Sequence, residues 1–383
     1  MTVICGCSSE KPNEESSMQS KTASTQAEES KEESSEVSSA AESTVSKKAA
    51  SKTTASKKST KNTVKEKAPD GPDYNPPTTR QSGDCLNPLN GLKELSEAQV
   101  SMRPYAVMIN NIKTAQSVQT GLAKAEIVYE TEVEGGITRL IAVFKDTTGI
   151  AKIGTVRSAR YPYVDLALGH NAIYFHCGKD ATYCGPHLAD INHIDFNSGY
   201  ASKYSMRISN GLKKEHTLYT SGANLQKAAV KYKFATTVSN TKPWVDFSEE
   251  PITLAGSNCN TVSVKFSSSY ITKFKYNATT GLYTRYSKDT LLKDYFTKET
   301  KTVTNVFVLL TDITAYPDKY HKKVALTSGS GYYISRGKYI SIKWSKGSAK
   351  NGFSFTDNSG NALTVNPGNS WVCISDKKRS VPT

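Results

Sequence analysis

The chain has 383 residues, a formal net charge of +14 and a hydrophobic content of only 37%. That length admits two folded domains or one large one, and beyond the N-terminus there is no run of about 18 apolar residues to cross a membrane as a helix. The basic surplus points to acidic partners, but the chain has no recognition helix, zinc-finger spacing or aromatic RNA-binding signature, which argues against nucleic acid.

Residues 1–7 end in Ile4-Cys5-Gly6-Cys7, followed by two serines. This reads as the remnant of a signal peptide with a lipobox, in which Gly6 supplies the small residue before the cut and Cys7 carries the lipid. Residues 8–84 follow as a tether. Their Ser, Lys, Glu, Ala and Thr content buries too little apolar surface to offset ordering entropy, and a Pro- and Asp-rich lead-in closes the segment. Its charges roughly cancel, so the basic excess belongs to the folded part. Seven cysteines in a scattered, odd set do not form a disulfide framework.

The folded part reads as α+β, a mixed α/β module over 85–245 followed by a mostly β module over 246–376, with a basic tail at 377–383. Residues 105–110 form a buried strand. Residues 126–145 form a hairpin about Gly135-Gly136, glycines being suited to a positive-φ turn. Glu126, Glu130, Glu132 and Glu134 fall together on one face of that hairpin, opposite the apolar one, and are expected to face solvent. Short strands follow at 153–156 and 173–175, with helical spacing over 161–170 and 222–234. A short helix is expected at 182–191. From residue 246 on, strands at 262–266, 271–276, 282–286, 305–310, 324–327, 332–335, 339–344 and 371–374 alternate with Gly-containing turns.

The candidate chemistry lies where a strand hands over to a helix. Arg157, Ser158 and Arg160 stand at that junction, where free backbone N–H groups favour anions and arginines add bidentate contacts to phosphate or carboxylate. Arg139 lies on the hairpin strand, Asp165 is about 1.4 helical turns beyond Arg160, and His216 is a loop residue able to act as acid or base. These six residues are the expected anion-binding site. The competing account is a buried salt-bridge network fixing hairpin to helix. His170, His176, Cys177, Cys184, His187 and His193 cluster in sequence but match no zinc-ligand spacing. No metal, cofactor or catalytic residue is assigned, and no G-x-S-x-G elbow, Walker loop or Rossmann fingerprint is present.

Several motifs together carry a resemblance. Arg103-Pro-Tyr-Ala-Val-Met-Ile-Asn-Asn111, Ala125-Glu-Ile-Val-Tyr-Glu130, Glu134-Gly-Gly-Ile-Thr-Arg139 and Ile153-Gly-Thr-Val-Arg-Ser-Ala-Arg160 resemble the N-terminal module of YerB-like lipoproteins. Gly331-Tyr-Tyr-Ile334, Ile342-Lys-Trp-Ser-Lys346 and Asn366-Pro-Gly-Asn-Ser-Trp371 resemble that family's C-terminal module. The resemblance implies a two-module extracytoplasmic lipoprotein of a Gram-positive bacterium, lipid-anchored to the outer face of the cell membrane, with no established reaction. The expected function is binding of an anionic wall polymer or a wall-synthesis protein. An enzyme acting on a phosphate-containing wall precursor, and a scaffold for envelope assembly that binds no ligand, are the alternatives.

Overall fold

The computed structural model describes residues 76, 77, 79 and 83–379. Cys7, the expected leader remnant and nearly all of the expected tether lie outside the described residues. Among the described residues, no helix is long and apolar enough to cross a membrane.

The elements used below are, in chain order, β1 (Tyr105–Asn110), β2 (Ile127–Glu132), β3 (Thr138–Phe144), α1 (Tyr161–Gly169), β4 (Ile173–His176), β5 (His193–Asp195), α2 (Gly222–Lys231), β6 (Thr261–Lys265), β7 (Ile271–Asn277), β8 (Leu282–Ser287), β9 (Asn305–Thr311), β10 (Ser328–Ser335), β11 (Lys338–Ser345) and β12 (Ser370–Asp376). The fold is α+β, with helices and strands mixed in the first part and mostly strands in the second.

One sheet holds the molecule together. Its strand order, β11-β10-β9-β12-β2-β3-β1-β4-β5, runs through both parts of the chain, with two short strands added beside β11. The seam is the C-terminal strand β12, which lies parallel to β9 on one side and to β2 on the other. Trp371 stands opposite Val128 and Cys373 opposite Glu130. The sheet is mixed, and its parallel pairs need cover on both faces; the burial follows that rule. Tyr105, Val107 and Ile109 of β1 enter one core, and Ala106 and Met108 enter the other. One face packs against α1, Trp244, Phe353 and Phe355. The other packs against α2 and against β6, β7 and β8.

That second cover overturns one expectation. Glu126, Glu130, Glu132 and Glu134 are all buried rather than solvent-facing. Glu130 accepts from Asn111 Nδ2 at 3.0 Å, Thr138 Oγ1 at 2.9 Å, Thr272 Oγ1 at 2.9 Å and Trp371 Nε1 at 3.2 Å. Thr272 belongs to β7, which covers that face. Arg285 of β8 lies 4.5 Å from the Trp371 ring and donates to Asn111 and Gln119. Burial raises the Glu130 carboxyl above its ordinary range, with Arg285 and the donors opposing. A polar strand face thus marks a buried network, because buried polar groups persist when their hydrogen bonds are met.

Candidate functional site

The six residues expected at the strand-to-helix junction fall into three neighbourhoods. The first centres on Glu134. Gly135 and Gly136 turn the β2–β3 hairpin with φ of +55° and +72°, a region that favours glycine. The turn holds Glu134 beside β3, and Arg160 caps α1 from the other side. Glu134 Oε1 accepts from Arg139 Nη2 at 2.7 Å and from Arg160 Nη2 at 2.7 Å, and Oε2 accepts from Arg160 Nε at 2.9 Å. The Ser158 carbonyl accepts from Arg139 Nη1. Burial works to raise the Glu134 carboxyl, but Arg139 and Arg160 outweigh it and hold it below its ordinary value. Burial pushes the Arg139 guanidinium down to about 10. A carboxylate of the chain itself therefore occupies the fork that these arginines could offer an anion.

The second neighbourhood joins Arg157 and His216 through Glu215. Arg157 Nη2 donates to Glu215 Oε2 at 2.9 Å, and His216 Nε2 lies 3.3 Å from Glu215 Oε1. Asn110 Nδ2 faces His216 Nδ1 at 2.9 Å. The amide donates there, which leaves the ring proton on Nε2, toward the carboxylate. Burial lowers the His216 pKa, and Glu215 opposes it. Asp165 stands in the third neighbourhood. It meets His187 Nδ1 at 3.1 Å and pairs with none of the arginines. Burial raises its carboxyl.

A roomy concavity lies elsewhere. It is a cavity of about 920 Å³, lined by the 88–89 turn, residues 103–104, Lys145, the end of α1, residues 238–244 and the loop that follows β11. Arg103, Lys145, Lys242, Lys346 and Lys350 all line it, and among the described residues no Asp or Glu does. The buried cations are held by neutral oxygens. Arg103 donates to the Asn171 carbonyl at 2.9 Å, the Asn192 amide oxygen at 2.7 Å and the Ala235 carbonyl at 3.0 Å. Lys145 donates to the Met102 carbonyl. Lys346 donates to the carbonyls of Ser348, Ala349 and Asn351 at 3.0, 2.5 and 2.6 Å.

A carbonyl solvates an ammonium without cancelling its charge, so the cavity keeps a positive field. Burial pushes Lys145 and Lys346 down to about 8, with Glu126 and Asp165 opposing. Lys242 and Lys350 are exposed at the rim. Lys350 approaches Asp190 only to 3.9 Å.

The aromatic wall of the cavity is Trp244 and Phe353, next to His170. His170 Nε2 meets the Tyr129 hydroxyl at 2.7 Å, and burial pushes its pKa down to about 3. The Trp244 indole N–H is buried and has no hydrogen-bond partner. The sequence reading missed this site because its lining comes from separate segments. Two local signals were present: the Lys-Pro-Trp run at 242–244 and the glycine-rich stretch with two lysines at 346–352.

The fold defines a class of α+β proteins in which one sheet joins a mixed α/β part to a mostly β part. A family model described as "Protein of unknown function (DUF3048) N-terminal domain" matches residues 89–235, and its C-terminal counterpart matches residues 262–372. The chain is 30% identical over 300 residues to "Putative lipoprotein YerB" of Bacillus subtilis (strain 168), which covers 75% of this chain and 85% of that protein. It belongs to this family. The crystal structure of YerB from Bacillus subtilis superposes with a TM-score of 0.67 at 25% identity, covering 78% of this chain and all of that one. The cavity draws on both matched segments, and Val238, Asn240, Thr241 and Trp244 come from the connector between them.

Proposed function

We propose that this protein is an extracytoplasmic lipoprotein, tethered through Cys7 to the outer face of the cell membrane, that holds an anionic cell-envelope ligand in the Trp244 cavity. The observation that carries this reading is a cavity of about 920 Å³ lined by five cationic side chains and, among the described residues, no carboxylate. Sites of this size suit small or medium ligands, and like charge concentrated in a concavity raises the local concentration of counter-ions. The arginines at the strand-to-helix junction offer less, since Glu134 and Glu215 already take donors from all three. Tethering is supported by the Ile4-Cys-Gly-Cys7 motif and by the similarity to the B. subtilis protein described as "Putative lipoprotein YerB".

Retention of the 383-residue chain on an immobilised anionic wall fraction tests the binding claim. Lys242→Glu/Lys350→Glu should weaken retention by about tenfold or more, and wild-type retention should fall with added salt, because exposed charges are screened over about 8 Å at physiological ionic strength. Equal retention of both proteins refutes the reading. Labelling with a fatty-acid analogue in cells expressing the gene from its own locus tests the anchor. Label should be lost in Cys7→Ser, and label that persists removes Cys7 from the account.

A further inference from the structure

The cavity combines three properties that together narrow its ligand. Its charge is supplied at the accessible rim by lysines, Lys242 and Lys350. The one arginine in the lining, Arg103, is buried and has given donors to Asn171, Asn192 and Ala235. The planar fork that pairs bidentately with carboxylate or phosphate is therefore taken, and the charges left over are ammonium point charges, which bind a phosphate without needing a fork.

The second property is size. A bare phosphate would leave most of about 920 Å³ empty. The remaining lining is rich in neutral groups that donate and accept, among them Asn240, Thr241, Ser328, Ser345, Asn351 and Ser354. Such groups match the hydroxyls of a polyhydroxylated body. The third is the aromatic wall. The Trp244 ring is already flanked by His170, Phe307 and Phe355 at centroid distances of 6.1, 5.6 and 6.0 Å. With its surroundings already filled in this way it is poorly placed to sandwich a nucleobase, which argues against a nucleotide as the occupant.

Resting on the anion-binding reading above, we infer that the ligand is a phosphorylated saccharide, its phosphate toward Lys242 and Lys350 and its hydroxyls along the Asn, Ser and Thr wall. The glycan body and the phosphate are then recognised together, and neither part alone binds well.

Calorimetric titration of the 383-residue chain at low salt tests this with five probes: N-acetylglucosamine 1-phosphate, N-acetylglucosamine, inorganic phosphate, glucuronate and adenosine 5′-monophosphate. The phosphosugar should bind at least about tenfold more tightly than each of the other four, which corresponds to about 1.4 kcal/mol. Lys242→Ala/Lys350→Ala should lower phosphosugar affinity about tenfold while leaving the thermal midpoint unchanged, since both side chains are exposed.

Inorganic phosphate binding as tightly as the phosphosugar overturns the inference, because the saccharide then contributes nothing. Glucuronate binding as tightly overturns the phosphate half, and adenosine monophosphate binding more tightly replaces the saccharide with a nucleotide. Failure of the phosphosugar to bind also overturns it. In each case, charge-dependent retention on the wall fraction decides separately whether the broader anion reading survives.

Discussion

Replacing Glu134 with Gln should be among the most damaging near-isosteric changes in the first part of the chain. The carboxylate receives three hydrogen bonds from two guanidinium groups, at 2.7, 2.7 and 2.9 Å. Arg139 is 3% exposed and the Arg160 side chain 15%. Glutamine keeps one acceptor oxygen but sets an amide N–H₂ against an arginine donor. It also leaves two neighbouring cations without their counter-charge. Breaking a buried pair by removing one partner costs about 3–5 kcal/mol. For a folded unit of a few hundred residues each kcal/mol is worth roughly 2–4 °C, so the thermal midpoint should fall by about 6–20 °C. Urea unfolding followed by circular dichroism measures the loss directly. Glu215→Gln is the control. Its carboxylate pairs with Arg157 but its side chain is 45% exposed, so the cost should stay below about 1 kcal/mol. A Glu134→Gln cost below about 1 kcal/mol, with the fold unchanged, would refute the view that Glu134 holds hairpin and helix together.

Three further outcomes follow. Glu130→Ala should cost about 3–5 kcal/mol and Glu130→Gln less, since Ala orphans donors from Asn111, Thr138, Thr272 and Trp371 while Gln keeps one acceptor; denaturant midpoints of the two variants check the order. His170 is held near 3 in the folded chain against an ordinary value near 6.5. The unfolded chain therefore takes up the proton first, and stability is lost as pH falls from about 6.5 toward 3. His170→Asn should lose less stability than wild type between pH 7 and pH 4.5, and an equal loss contradicts the assignment. Lys145 and Lys346 are held near 8, facing Glu126 and Asp165. Anion affinity should therefore decline as pH rises through 8, which calorimetry at pH 7 and pH 9 would detect.

Much of the strand and helix layout was legible because it depends on local patterning. Residues 105–110 read as a buried strand from apolar continuity, and the β2–β3 hairpin from Gly135-Gly136 between two β-rich runs. The glutamates of β2 were misjudged for a nonlocal reason. Alternation identifies two faces of a strand, but whether the polar face meets water depends on what else covers it. Here β7 and β8, more than a hundred residues away, bring Thr272 and Arg285 over Glu130. The arginine cluster was visible as residue types, but its partner Glu134 was chosen by the turn geometry, and Asp165 turned to His187 across the chain fold. The cavity was the least legible feature. Leu89, Arg103, Lys145, Trp244 and Phe353 lie in segments spread over most of the folded chain, and only the joining of both parts through β12 brings them together.

Hydrogen–deuterium exchange of the 383-residue chain, with and without soluble anionic wall fragments, separates the cavity from the arginine junction in one measurement. Ligand should slow exchange in residues 238–244 and 345–354, which line the cavity, and leave residues 134–139 and 157–160 unchanged. Protection confined to 134–139 and 157–160 would place the ligand at Arg139, Arg157 and Arg160 and contradict the cavity as the binding site.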